Sequence, residues 1–197
     1  MVLIIIIACK PLSMTDVWRN RNNGQPTWTY NQAIVLSGLS KLYNYTKDVS
    51  FLEAAESLID STLASGLVNS SVLVESCDPS LTCDEDQWMF KGVFMQELGY
   101  FLTDVVEIQS LEYSKKLQTL AKYDGFIHTN AQAVWNLARA PNGTFGNWWG
   151  APPTYRNKLQ FGVETMGSGV AALLCAARVD RLLLSLANST QCRQDPN

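Results

Sequence analysis

Apolar residues recur at a helical period along most of this chain, and that periodicity restricts it to folds made of packed helices. Over residues 29–45, Ile34, Val35, Leu39 and Leu42 form one stripe with Tyr43 beside it. "DVSFLEAAESLIDSTLASG" predicts a second helix, with Asp48 as its cap and Gly66 as its stop. Its apolar face comprises Phe51, Leu52, Ala55, Leu58, Ile59 and Leu63. Further helices are predicted over residues 85–102, 108–123, 126–138 and 164–187. "SVLVE" is the one short strand candidate, in a turn-rich stretch. Helices joined by turns, without strand alternation, give an all-α class.

Three helix starts share an unusual feature. "TWTYNQ", "CDEDQWMF" and "FGVETMGSG" each place polar or aromatic residues directly before a long apolar segment. They recur at roughly 55 to 80 residues, with one or two helices between, which suggests stacked helical hairpins. Alternate helices would then present the same ends on one face and create a cleft there.

Composition excludes several functions. The 197 residues are 47% hydrophobic and 17% charged with a net charge of -3, which suits a domain with a substantial core. No Lys/Arg run suggests nucleic acid. The single histidine, His128, argues against a His-rich metal site or a Ser/His triad and reads as structural or surface. No cofactor or metal is expected. The opening "MVLIIIIACK" is too short to span a membrane and lacks the basic start of a signal peptide. It is expected to be a buried helix or strand, or a chain start that is not the natural one. Sequons at Asn44, Asn69, Asn142 and Asn188 nevertheless point to the secretory route. So do Cys77 and Cys83, which flank "DPSLT" and are expected to close it as a disulfide. Cys9, Cys175 and Cys192 have no assigned pairing.

Three clusters carry chemistry. Trp28 and Tyr30 can stack on a pyranose, while Asn31 and Gln32 offer donors and acceptors to hydroxyls; alternatively they cap and pack the following helix. Asp84, Glu85 and Asp86 open the third helix, where its dipole favours negative charge. The functional alternative makes Asp86 and Gln87 cleft groups, with Phe90 one turn on. Glycoside hydrolysis needs two carboxyls about 5–5.5 Å or 6.5–9.5 Å apart. Within this chain they would come from Asp84, Glu85, Asp86 and Glu164. "GTFGNWWG" supplies Phe145, Trp148 and Trp149 on a glycine-punctuated loop, which is either a cleft wall or a hydrophobic plug.

Together these segments resemble glycoside hydrolase family 76, the endo-α-1,6-mannanases. "PTWTYNQAIVLSGLSKLYNYT" is similar to that family's W-T-Y-N-Q-G segment and the helix after it. "CDEDQWMFKGVFMQELGYFL" resembles its C-x-x-D-x-x-x-F-K-G-I-F helix, and "FIHTNAQAVWNLARAPNGTFGNWWGAP" its aromatic loop. "ETMGSGVAALLCAA" corresponds to its last inner helix. The resemblance implies an (α/α)6 toroid of inner and outer helices. It also implies retaining hydrolysis of α-1,6-mannan or another mannose-containing glycan, in a secreted or cell-wall protein. The implied substrate-binding residues are Trp28, Tyr30, Asn31, Gln32, Asp86, Gln87, Phe90 and Trp149. The family's catalytic pair is two consecutive Asp residues, and this sequence contains no Asp-Asp dipeptide. Only about three inner-helix starts are visible where the toroid needs six. The expectation is therefore a C-terminal half over residues 26–190, an unmatched segment over 1–25 and a tail over 191–197, without intrinsic catalysis. The alternative is a non-catalytic carbohydrate-binding remnant or a truncated gene product.

Overall fold

The computed structural model describes residues 26–191. The opening apolar run, Cys9 and Cys192 lie outside them. About two thirds of the described residues are helical: α1 (Thr29–Ala33), α2 (Leu36–Thr46), α3 (Ser50–Leu63), α4 (Glu85–Glu107), α5 (Tyr113–Asn136) and α6 (Val163–Gln191). A hairpin of β1 (Val68–Asn69) and β2 (Val72–Leu73) lies between α3 and α4, and a 3₁₀ segment, Pro153–Lys158, precedes α6.

Cross-helix contacts fix the directions. Tyr30 meets Phe90, Ser37 donates to Glu97 and Ser40 to Asp104, so α1 and α2 run parallel to α4. Gly92 opposes Ser168 and Gly99 opposes Cys175, so α4 and α6 are parallel too. By contrast, His128 meets Asp180 and Tyr113 donates to the Leu186 carbonyl, so α5 runs against α6. On the other face, Glu56 and Asp60 of α3 bond Lys115, Thr119, Lys122 and Tyr123 of α5. The result is a row of parallel inner helices (α1–α2, α4, α6) backed by outer helices (α3, α5). The α4 helix is the centre of the row: Phe94, Met95, Leu98, Phe101 and Leu102 are all fully buried. At about 1.5–3 kcal/mol per large apolar side chain, this stripe is a principal source of stability.

Close approach makes the α4–α6 seam. A Cβ on Gly92 would lie 2.4 Å from the Ser168 Cα, and the Gly92 N–H donates to Ser168 Oγ at 2.9 Å. At the far end, Arg178 stacks over Tyr100 and bonds Thr103.

Several boundaries differ from the sequence reading. The first helix is not continuous over residues 29–45 but breaks at Ile34–Val35, where "SGLS" begins below it. Inside α2, Ser40 Oγ bonds back to the Ser37 carbonyl without interrupting the helix. Ile34 is exposed and not part of the buried stripe, and Leu42 is exposed as well. The helices expected at 108–123 and 126–138 are one helix that continues through the Asp124-Gly125 pair. Gly125 faces open space, while Tyr123, Phe126 and Ile127 beside it are buried, so packing overrides the weak local propensity. The α3 helix ends three residues before Gly66, and Asp48 accepts the Ser50 N–H one residue ahead of the assigned cap. The strand in "SVLVE" forms only as Val72–Leu73, across a turn whose Ser70 and Ser71 are both left-handed. Cys77 and Cys83 are disulfide-bonded with Cα atoms 5.0 Å apart, as expected, and Cys175 is free and buried.

Candidate carbohydrate-binding site

The parallel inner helices place the starts of α1, α4 and α6 at one end of the molecule. The long segments over residues 64–84 and 137–162 run across that same end.

An aromatic cluster lies where α1 meets α4. Trp28 stands edge-on to Phe90 with centroids 5.5 Å apart, and Tyr30 lies 4.2 Å from the same ring. All three rings are partly exposed. Asn31 is half-buried beside them, and its Oδ1 is shielded from water with no hydrogen-bond partner among the described residues. At the start of α4, Asp84 Oδ1 accepts the Gln87 N–H while Gln87 Oε1 accepts the Asp84 N–H, a reciprocal cap. Asp86, next to it, is exposed. Glu164, at the start of α6, and the Trp88 ring both lie against Gly162.

Two expected contact residues lie lower. Gln32 is 4% exposed and Trp149 fully buried, so neither presents a surface to a ligand. This corrects the sequence reading of both. Trp149 packs instead over Lys91, whose Nζ is 5.9 Å from the ring centroid. Its loop closes the helix end: Phe145 abuts Gly169 and Trp148 packs edge-on against Tyr155.

Beneath the aromatic cluster is a buried polar group that the sequence analysis missed. Glu75 is fully buried and receives both the backbone N–H and the hydroxyl of Thr29, the fully buried residue between Trp28 and Tyr30. Burial pushes the Glu75 carboxyl up to about 7, against the opposing pull of Lys91 and the Thr29 hydrogen bonds. Asp78 accepts the Glu75 N–H at 2.8 Å and pairs with Lys91 at 2.6 Å, both charged side chains being fully buried. The signal for Lys91 was present: it is the one charge in the apolar run "WMFKGVFM" of α4. Glu75 and Asp78 carry no comparable signal, because their burial comes from chain segments distant in sequence.

Beside the start of α6 is an apolar groove of about 980 Å³, lined by Ala140, Pro141, Phe161, Val163, Met166 and Val170 among others. Uncharged rings, amides and an apolar trough suit a neutral polyhydroxylated ligand better than an anion.

Parallel inner helices backed by outer ones, with rings and amides gathered at the inner-helix starts, define a sector of an (α/α)6 toroid of the glycoside hydrolase class. Residues 12–176 match the model of glycosyl hydrolase family 76, and the chain belongs to that family. Mannan endo-1,6-alpha-mannosidase DFG5 of Saccharomyces cerevisiae is 39% identical over 148 residues, covering 74% of this chain and 29% of the relative. Mannan endo-1,6-alpha-mannosidase DCW1 of Candida albicans is 36% identical over 86 residues, covering 42% and 19% respectively. Among solved structures, the GH76A alpha-1,6-mannanase of Salegentibacter sp. HEL1_6 superposes with a TM-score of 0.61 at 20% identity, over 80% of this chain and 41% of that one. An inactive variant of that enzyme has been captured with alpha-1,6-mannotriose. The chain thus spans less than a third of the length of these curated relatives and about two fifths of that structure.

Proposed function

We propose that this chain forms one wall of a cleft that binds α-1,6-linked mannose, with Trp28, Tyr30 and Phe90 as the stacking surface. Asn31, Asp86 and Gln87 supply hydroxyl contacts at its rim, while Gln32 and Trp149 support it from below. The observation that carries this reading is the partly exposed Trp28–Tyr30–Phe90 cluster at the shared end of the inner helices. Family membership and the mannan-directed relatives give the ligand class.

Hydrolysis is not expected from this chain acting alone, since it contains no Asp-Asp pair and the acids at the start of α4 are exposed and partly engaged in capping. Residues 26–190 act as the toroid sector; the family match begins at residue 12, so the segment expected to be unmatched is at most residues 1–11. Exposure of all four sequon asparagines, together with the Cys77–Cys83 disulfide, favours a secreted or cell-wall location.

The test is α-1,6-mannotriose titration of the purified chain, followed by tryptophan fluorescence and calorimetry, with Trp28→Ala alongside. The expected result is saturable binding that falls about five- to tenfold in the variant, given roughly 1–1.5 kcal/mol per stacked ring. Equal affinity in a folded Trp28→Ala chain would refute the stacking role. Hydrolysis of linear α-1,6-mannan that disappears in Asp84→Asn/Asp86→Asn would overturn the assignment of no intrinsic catalysis.

A further inference from the structure

On the outer side of the molecule, away from the aromatic cluster, α5 and α6 bring three metal-binding side chains together. Asp124 and His128 are four residues apart on α5, which puts them on one helix face. Because α6 runs antiparallel to α5, it sets Asp180 opposite them. Asp180 is 17 residues from Val163, about 25 Å along α6 from the end that carries the candidate cleft.

His128 Nε2 lies 3.3 Å from Asp124 Oδ1 and 3.1 Å from Asp180 Oδ1, and the three donor atoms all fall within 4.8 Å of one another. A single ring nitrogen carries at most one proton, so it cannot direct a full hydrogen bond to both carboxylates. The consequence is visible at Asp124: its Oδ1 is shielded from water and has no hydrogen-bond partner among the described residues. Two donors each about 2.1 Å from a common ion, at tetrahedral or octahedral angles, lie about 3.0–3.4 Å apart. The observed 3.1 and 3.3 Å separations match that spacing.

We propose that Asp124, His128 and Asp180 bind a divalent transition-metal cation of the Zn²⁺ class. Two carboxylates balance the charge of the ion. The imidazole selects against Ca²⁺ and Mg²⁺, which take oxygen ligands. Remaining coordination positions face solvent, because the side chains of His128 and Asp180 are 33% and 59% exposed. The bound ion links an outer helix to an inner one at a place where no sugar contact is proposed, so it acts on the fold and not on the ligand.

The experiment uses the purified full chain after chelator treatment. Zn²⁺ is titrated in competition with a fluorescent chelator, Co²⁺ is followed by visible spectroscopy, and thermal unfolding is recorded with and without Zn²⁺. The expected result is one equivalent of Zn²⁺ bound at micromolar or tighter affinity, with a Tm that rises with Zn²⁺ concentration. Co²⁺ should show d–d bands without a thiolate charge-transfer band. His128→Gln should weaken binding by about 100-fold and abolish the Tm response. Asp180→Asn, an exposed change that leaves the packing intact, should weaken it in the same direction. The proposal is overturned if wild type and both variants bind alike, if wild type shows no saturable binding, or if a thiolate band places the ion on Cys9, Cys175 or Cys192.

Discussion

Replacing Glu75 by Gln should change how the stability of this chain depends on pH. Glu75 sits fully buried beneath Thr29, and burial moves its carboxyl from the ordinary 4.5 to about 7. Below about pH 4.5 the group is protonated in both the folded and the unfolded chain. Between that value and about 7, the folded chain keeps a proton that the unfolded chain releases. Stability therefore falls as pH rises through this window, and the loss is complete above the folded value. At about 1.4 kcal/mol per pKa unit, the full effect is roughly 3 kcal/mol. Gln has the shape of the neutral acid and keeps a carbonyl acceptor for the Thr29 donors, so Glu75→Gln should remove this slope. Urea unfolding followed by tryptophan fluorescence, from pH 4.5 to 8, measures it directly. With a urea m value of about 1–3 kcal/mol/M, the variant should match wild type at pH 4.5 and exceed it by about 1–3 M in midpoint at pH 8. Comparison with wild type cancels whatever else in the chain depends on pH over this range. A midpoint difference that stays constant across the series would refute the reasoning.

Lys91→Met leaves the fully buried Asp78 without its partner and should cost about 3–5 kcal/mol. Lys91→Met/Asp78→Asn should recover part of that loss, as read by the same urea titrations. Gly92→Ala forces a Cβ to within 2.4 Å of the Ser168 Cα and should destabilise by about 1–3 kcal/mol, seen as a lower Tm. Gly125→Ala should do the opposite, raising stability by about 0.5–1 kcal/mol, because the position is helical, exposed and open around its Cα. An unchanged or lowered Tm for Gly125→Ala would show that α5 needs its glycine.

The sequence by itself determined the all-α class, the positions of most helices and the Cys77–Cys83 bridge. These rest on local information: a 3.6-residue period marks a helix wherever it is read, and a short turn-rich loop between cysteines brings their Cα atoms close. It also identified the rings that gather at the start of α1 and α4, since Trp28, Tyr30 and Phe90 sit in recognisable helix-start motifs. Only the tertiary structure decided which of the marked residues face outward. Gln32 and Trp149 carry the same chemistry as their neighbours, yet both are buried. The continuity of α5 through Gly125 was likewise set by packing, which outweighs a propensity of about 1 kcal/mol. The same holds for the Glu75–Thr29 contact, which joins residues 46 apart, and for His128, which meets Asp180 across 52. Burial and charge pairing depend on neighbours in space, and no window of sequence contains them.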